Sequence, residues 1–196
     1  MVTGIPEPTD QELLARTARG DDRAFEVFVM RHRAGVHRYA RMLSGHDADA
    51  EDVLQQTFLQ VWRSAGSSDV TFVKPWLFTI ARHALQRQRR RQVGAPEAEE
   101  SLDSLGALAG FADPSATPER FAIALEERSV VRAALAALSE ADREVVVLRE
   151  LEQWSGDDTA RVLGLSLDAM KSRLHRARLR FVAEVRRRLP DEGVHP

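Results

Sequence analysis

Lys171, Ser172, Arg173, His175 and Arg176 crowd one side of a short stretch. The chemistry they offer is hydrogen-bond donation: guanidinium forks for phosphates and guanine edges, a hydroxyl for any base edge. Ser172 beside Arg173 and Arg176 serves both purposes together. Covalent chemistry finds no such set. No nucleophile sits with a base, and no glycine-rich phosphate loop occurs, so no enzyme is expected. His32 and His37 are five residues apart, off the i, i+4 step that puts two metal ligands on one helix face. The chain has no cysteine, which excludes disulfides and thiolate zinc sites. No cofactor and no metal is expected.

The donors need a helix to hold them. Leu167, Met170, Leu174, Ala177, Phe181 and Val185 recur at three- and four-residue steps, an apolar stripe opposite the basic side. Ser166 precedes that helix as its cap and adds a further polar group beside the donors. Before it, Ser155 with Asp158 reads as a capping box, and Ala160, Val162 and Leu163 give a short apolar face. Gly164 then ends this first helix, because glycine accepts the left-handed conformation. A short helix, a glycine turn and a basic second helix make a helix-turn-helix suited to the DNA major groove.

The whole chain, at 196 residues, has room for one or two small domains, and its net charge is only −2. A nucleic-acid binder with that balance must segregate its charges. Arginines gather over 82–91 and 171–188, acids over 47–52 and 97–127. No signal peptide and no membrane-length apolar run is evident, so a cytoplasmic protein without membrane insertion is expected.

Four helices are expected in a first domain, residues 10–92. Asp10 or Thr9 caps the first, which holds Leu13, Leu14 and Ala18 and closes at Gly20. The second starts at Asp22 and carries Phe25, Phe28, Val29, Val36, Tyr39, Ala40 and Leu43 as far as Gly45. The third runs from about Asp49 to Arg63, with Ala50, Val53, Leu54, Thr57, Phe58, Val61 and Trp62 on its apolar side. Its acids at the N-terminus suit the helix dipole. Gln55, Gln56 and Gln60 suit a flat protein contact. Val70–Val73 has strand-like composition but nothing to pair with. Pro75 opens the fourth helix, which turns basic at Arg82, Arg87, Arg89, Arg90 and Arg91. Trp76 and Phe78 upstream add stacking surface, a combination suited to single strands.

Residues 93–118 read as a flexible acidic linker. Glycines and prolines punctuate it, and from Glu97 to Glu127 only Arg120 opposes the acids. Leu102, Leu105, Leu108 and Phe111 are spaced for a short docking helix. A second domain, 119–190, opens with an Ala- and Leu-rich helix to Leu138. Ser139 and Asp142 then cap a helix through Val145–Leu151, the helix-turn-helix follows, and Pro190 ends the last helix. The fold class is all-α, two small helical domains joined by the linker.

These segments together resemble the extracytoplasmic-function (ECF) group of bacterial RNA polymerase sigma factors over nearly the whole chain. AFEVFVMRHRAGVHRYARMLSG resembles the start of their region two, and DAEDVLQQTFLQVWR the helix that clamps core polymerase. PWLFTIARHALQRQRRR is similar to the minus-ten helix, and LSEADREVVVLRELEQWSGDDTARVLGLSLDAMKSRLHRAR to region four. The resemblance implies that Asp49, Asp52, Gln55, Gln56 and Gln60 face the coiled coil of the polymerase's largest subunit. It implies that Ser166, Lys171, Ser172, Arg173, His175 and Arg176 meet the minus-thirty-five element. Trp76, Arg82, His83, Gln86, Arg87, Arg89 and Arg90 would lie along the minus-ten strand, and Ser67–Lys74 would hold a flipped base. Core polymerase (coiled coil and flap), promoter DNA and an anti-sigma factor are the implied partners, with a monomer in the holoenzyme. Departures are His83 where the family commonly has Asn, Arg87 for Asp, Thr159 for a larger aliphatic residue and Gly156 for an aromatic one. The rival reading is a conventional helix-turn-helix regulator binding duplex DNA without polymerase.

Overall fold

The structure is a computed structural model and describes residues 7–66, 70–92 and 128–189. The helix-spaced linker leucines, residues 119–127, Ser67–Asp69 and Pro190 lie outside the described residues. The chain is all-α, with no strand among the described residues. It divides into two compact units, residues 1–40 with 48–96, and 41–47 with 97–196. Among the described residues, no helix is long and apolar enough to cross a membrane.

The first unit holds α1 (Asp10–Thr17), α2 (Asp22–Ser44, apart from its end), α3 (Asp47–Ser64) and α4 (Val73–Gln92). Thr9 and Glu12 form a reciprocal capping box on α1: Glu12 N–H donates to Thr9 Oγ1 (3.2 Å) and Thr9 N–H to Glu12 Oε2 (2.7 Å). These bonds hold the Glu12 carboxyl below its ordinary value, the backbone bond most of all. Asp10 anchors α1 to α2 through Arg31 (2.7 Å) and His32 (2.9 Å). The core gathers Leu13, Phe28, Val36, Tyr39, Val53, Val61, Leu77 and Leu85. Rings meet edge to face, Phe28 with Phe58 at 6.4 Å and Tyr39 with Phe78 at 5.3 Å, each such pair adding about 0.5–1.5 kcal/mol beyond burial.

Two expectations for α4 change. Val73 is its first residue, so Val70–Val73 runs into a helix, with Pro75 in the first turn where a missing N–H costs nothing. Phe78 is buried against Tyr39 and offers no stacking surface. Its position, one residue after Leu77 and three before Ala81, puts it on the core side.

In the second unit residues 128–136 are helical (α5), followed by α6 (Glu140–Val146), a π-helical turn (Val147–Leu151), α7 (Gly156–Leu163) and α8 (Leu167–Arg188). Arg143 donates to the carbonyls of Leu135 (2.8 Å) and Ala136 (2.7 Å), closing the end of α5. Ser139 caps α6 by accepting from Asp142 N–H (3.2 Å). The α-helix expected through Leu151 instead widens after Val146. Val145–Leu148 are all buried, so the segment is enclosed on every side. The widened turn ends with Glu152 N–H donating to the Val147 carbonyl (2.9 Å). Gln153 follows at φ 53°, the one non-glycine with positive φ among the described residues.

The helix-turn-helix forms as its caps predict. Ser155 Oγ accepts from Asp158 N–H (3.0 Å) and Ser166 Oγ from Ala169 N–H (3.2 Å). Gly164 is left-handed (φ 65°, ψ 37°), and Leu165 N–H reaches back to the Ala160 carbonyl (2.9 Å), the six-to-one bond of a Schellman turn. Met170, Leu174 and Ala177 of α8 are buried, whereas Phe181 and Val185 are half-buried. Both departures in the motif have local causes. Thr159 is fully buried, and its hydroxyl donates to the Ser155 carbonyl (2.8 Å). A Cβ on Gly156 would lie 3.2 Å from Leu167 Cδ1 and 3.3 Å from Met170 Cε, so a larger residue there requires those side chains to move.

Candidate nucleic-acid and polymerase interfaces

On α8 the buried stripe fixes what the other face presents. With Met170, Leu174 and Ala177 turned inward, Lys171, Ser172, His175 and Arg176 are exposed, as is the capping Ser166. Arg173 is half-buried at the edge of the stripe. The helix is tied down beyond this face. Arg178 Nη2 donates to Glu150 Oε1 (2.6 Å) in the π turn, and Arg180 pairs with the buried Asp142 of α6. Neither brace is legible in a local stretch of sequence, because the partners lie 28 and 38 residues away. Truncating one partner of such a pair weakens the mount of the helix rather than its exposed donors.

On α4 the predicted residues separate into two strips. His83, Arg87 and Arg90 are exposed along one side, joined by Arg91. Trp76, Arg82, Gln86 and Arg89 are half-buried. Burial, followed by the charges of Arg82, Arg87 and Arg90, pushes the His83 imidazole below its ordinary value.

Between α2 and α3 lies an open groove of about 960 Å³, lined by Phe25, Val29, Met30, Leu54, Phe58, Leu59 and Trp62. Its polar margin is mainly acidic: Asp22, Glu26, Glu51 and Asp52 against Arg33, with Gln55. Met30 is 75% exposed, Leu59 50% and Trp62 41%. Trp62 therefore walls the groove, edge-on to Phe25 at 4.8 Å, instead of filling the core. Of the residues expected to meet polymerase, Asp52 and Gln55 line the groove, whereas Asp49, Gln56 and Gln60 do not. Asp49 Oδ1 accepts from the buried Gln88 (2.7 Å), and Gln60 donates to Ser64 Oγ (2.9 Å). The apolar groove residues were the ones sequence reasoning passed over. Their signal was an apolar arc on α2 and α3 wider than one core face needs.

Comparison with known proteins places these faces in a family. Residues 28–94 match the Sigma-70 region 2 model and residues 128–181 the Sigma-70, region 4 model. The chain is 33% identical over 185 residues to RNA polymerase sigma factor CnrH of Cupriavidus metallidurans, covering 91% of this chain and 95% of that one. It is 37% identical over 179 residues to ECF RNA polymerase sigma factor SigM of Mycobacterium tuberculosis, covering 91% and 85%. Among solved structures, CnrH in complex with the cytosolic domain of CnrY superposes with a TM-score of 0.68 at 27% identity, over 91% of this chain and 97% of that one. Sigma factor RpoE of Bartonella quintana, solved with the anti-sigma factor NepR, shares the fold, with a TM-score of 0.64 at 24% identity over 83% and 96%. These matches are to factors that act through polymerase, not to regulators that bind duplex DNA alone. The chain belongs to the ECF family of RNA polymerase sigma factors, non-enzymatic initiation factors that direct the polymerase to promoters.

Proposed function

We propose that the α2/α3 groove seats core polymerase, while α4 and α8 contact the two promoter elements. One observation carries this reading: an apolar groove with exposed Met30, Leu59 and Trp62. A protein that only binds duplex DNA has no use for it, whereas a helical partner does. The largest subunit's coiled coil is that partner, with Asp52 and Gln55 at the contact and Asp49, Gln56 and Gln60 on the adjoining flank of α3. The flap is the second polymerase contact, made by the domain spanning 119–190. Ser166, Lys171, Ser172, Arg173, His175 and Arg176 meet the minus-thirty-five element. Trp76, Arg82, His83, Gln86, Arg87, Arg89 and Arg90 follow the minus-ten strand, where capture of an unstacked base offsets a few kcal/mol of unstacking. The domains are 10–92 and 119–190, and the linker 93–118 makes the second promoter contact intramolecular. An anti-sigma factor covers these faces when the protein is idle; the relative CnrH is solved in complex with the cytosolic domain of CnrY. The protein works as a monomer in the holoenzyme, in the cytoplasm.

The test separates the faces. Leu59→Asp places a charge in a half-exposed groove position and leaves the core intact. It should weaken core-polymerase binding about tenfold or more, the effect of losing an interface anchor. Arg176→Ala should leave core binding unchanged and lower promoter occupancy. Equal effects of both variants on core binding would overturn the assignment.

A further inference from the structure

His83, Arg87, Arg90 and Arg91 stand at i, i+4, i+7 and i+8 on α4 and line one recess of about 440 Å³. No acidic side chain lines that recess among the described residues. Arg90 Nε donates to the Gln86 carbonyl (3.3 Å), which orients the guanidinium while its terminal nitrogens keep N–H groups to donate. The helix dipole accounts for cations in a last turn, hence for Arg90 and Arg91. It does not account for Arg87 and His83, which lie a turn further back. Partial burial, then the charges of Arg82, Arg87 and Arg90, push the His83 imidazole below its ordinary value, in keeping with cations converging on one side of α4.

Guanidinium forks without a counter-charge suit phosphodiester oxygens, which only accept. Reading a varied set of bases needs acceptors as well as donors. The residues the family commonly has here, Asn and Asp, supply acceptors; Arg87 supplies none. We propose that His83, Arg87, Arg90 and Arg91 seat one backbone phosphate of the non-template strand, so that Arg87 sets affinity and not base choice at the minus-ten element. The inference rests on the reading of α4 as the minus-ten face.

The experiment uses holoenzyme and a forked promoter in which each non-template phosphate of the minus-ten region is replaced in turn by a neutral methylphosphonate. For the unaltered protein, one linkage should weaken binding about five- to tenfold when neutralised. Arg87→Gln should weaken binding to the unmodified fork alike for all minus-ten sequences, reduce the salt slope by about 1, and lose its sensitivity to that one linkage. Arg91→Gln should blunt the same linkage. The proposal falls if Arg87→Gln retains the full linkage sensitivity, or relaxes preference at one base with the salt slope unchanged. Failure of the unaltered holoenzyme to bind any fork would instead remove the minus-ten reading itself, and the phosphate site with it.

Discussion

Gly164 sets the angle at which α8 leaves α7, and its replacement gives a quantitative test of the turn. Its backbone is left-handed (φ 65°), yet an added Cβ would meet no atom within 4 Å. Any cost of Gly164→Ala is therefore conformational and not steric. A side chain in this region costs about 1–2 kcal/mol, and the stiffer unfolded chain returns about 0.4–1 kcal/mol. The net loss is about 1 kcal/mol, or a roughly fivefold rise in the opening equilibrium. Asn tolerates the conformation better, so Gly164→Asn should lose about half as much. A chain of two units need not unfold in one step, so amide hydrogen exchange is the right assay. Leu174 and Ala177, buried in α8, should exchange about fivefold faster in the Ala variant. Val53 and Phe58 of α3 should not change. Equal protection in wild type and Gly164→Ala would mean that the left-handed turn carries no conformational cost, and equally large losses for Ala and Asn would mean that the cost is not one of backbone conformation.

Three further outcomes follow from the same structure. Thr159→Val removes a hydroxyl whose acceptor, the Ser155 carbonyl, also receives Thr159 N–H (3.0 Å); nothing is left unpaired, so urea midpoints should shift by no more than about 1 kcal/mol in equivalent stability. Arg180→Ala leaves the buried Asp142 without its guanidinium and should loosen α8 by about 1 kcal/mol, seen as faster exchange in α8 with the cap at Ser139 still protected. His83 has a folded value below its ordinary 6.5, so the unfolded chain takes up the proton first. Its contribution therefore turns unfavourable as pH falls through 6.5, and His83→Gln should flatten the acid-side decline in stability; an unchanged pH profile would count against the crowding seen around this ring.

Legibility in the sequence followed the range of the interactions. The caps at Thr9, Ser139, Ser155 and Ser166 and the left-handed Gly164 depend on neighbours within a few residues, and each forms as expected. The basic face of α8 was readable because a fixed period places Lys171, His175 and Arg176 opposite Met170, Leu174 and Ala177. Features that depend on distant partners were not readable. Trp62 has the spacing of a core residue, and only the placement of Phe25 on α2 turns it into a groove wall. Phe78 has the look of a stacking ring, but Tyr39 encloses it. The π turn at Val147–Leu151 follows a run of four buried residues, Val145–Leu148, and β-branched composition does not announce where a helix widens. Gln153 occupies a left-handed position without being glycine, so no local signal marked that turn.

If the chain works through polymerase, with one groove for the enzyme and separate helices for the promoter, neither protein initiates alone. Run-off transcription on a pool of promoters, with purified core polymerase and with or without the protein, tests it most directly. Initiation is expected only when both are present, at sites sharing a two-part motif. Tight binding of duplex DNA by the protein alone, with no initiation at any site in the pool, would contradict it.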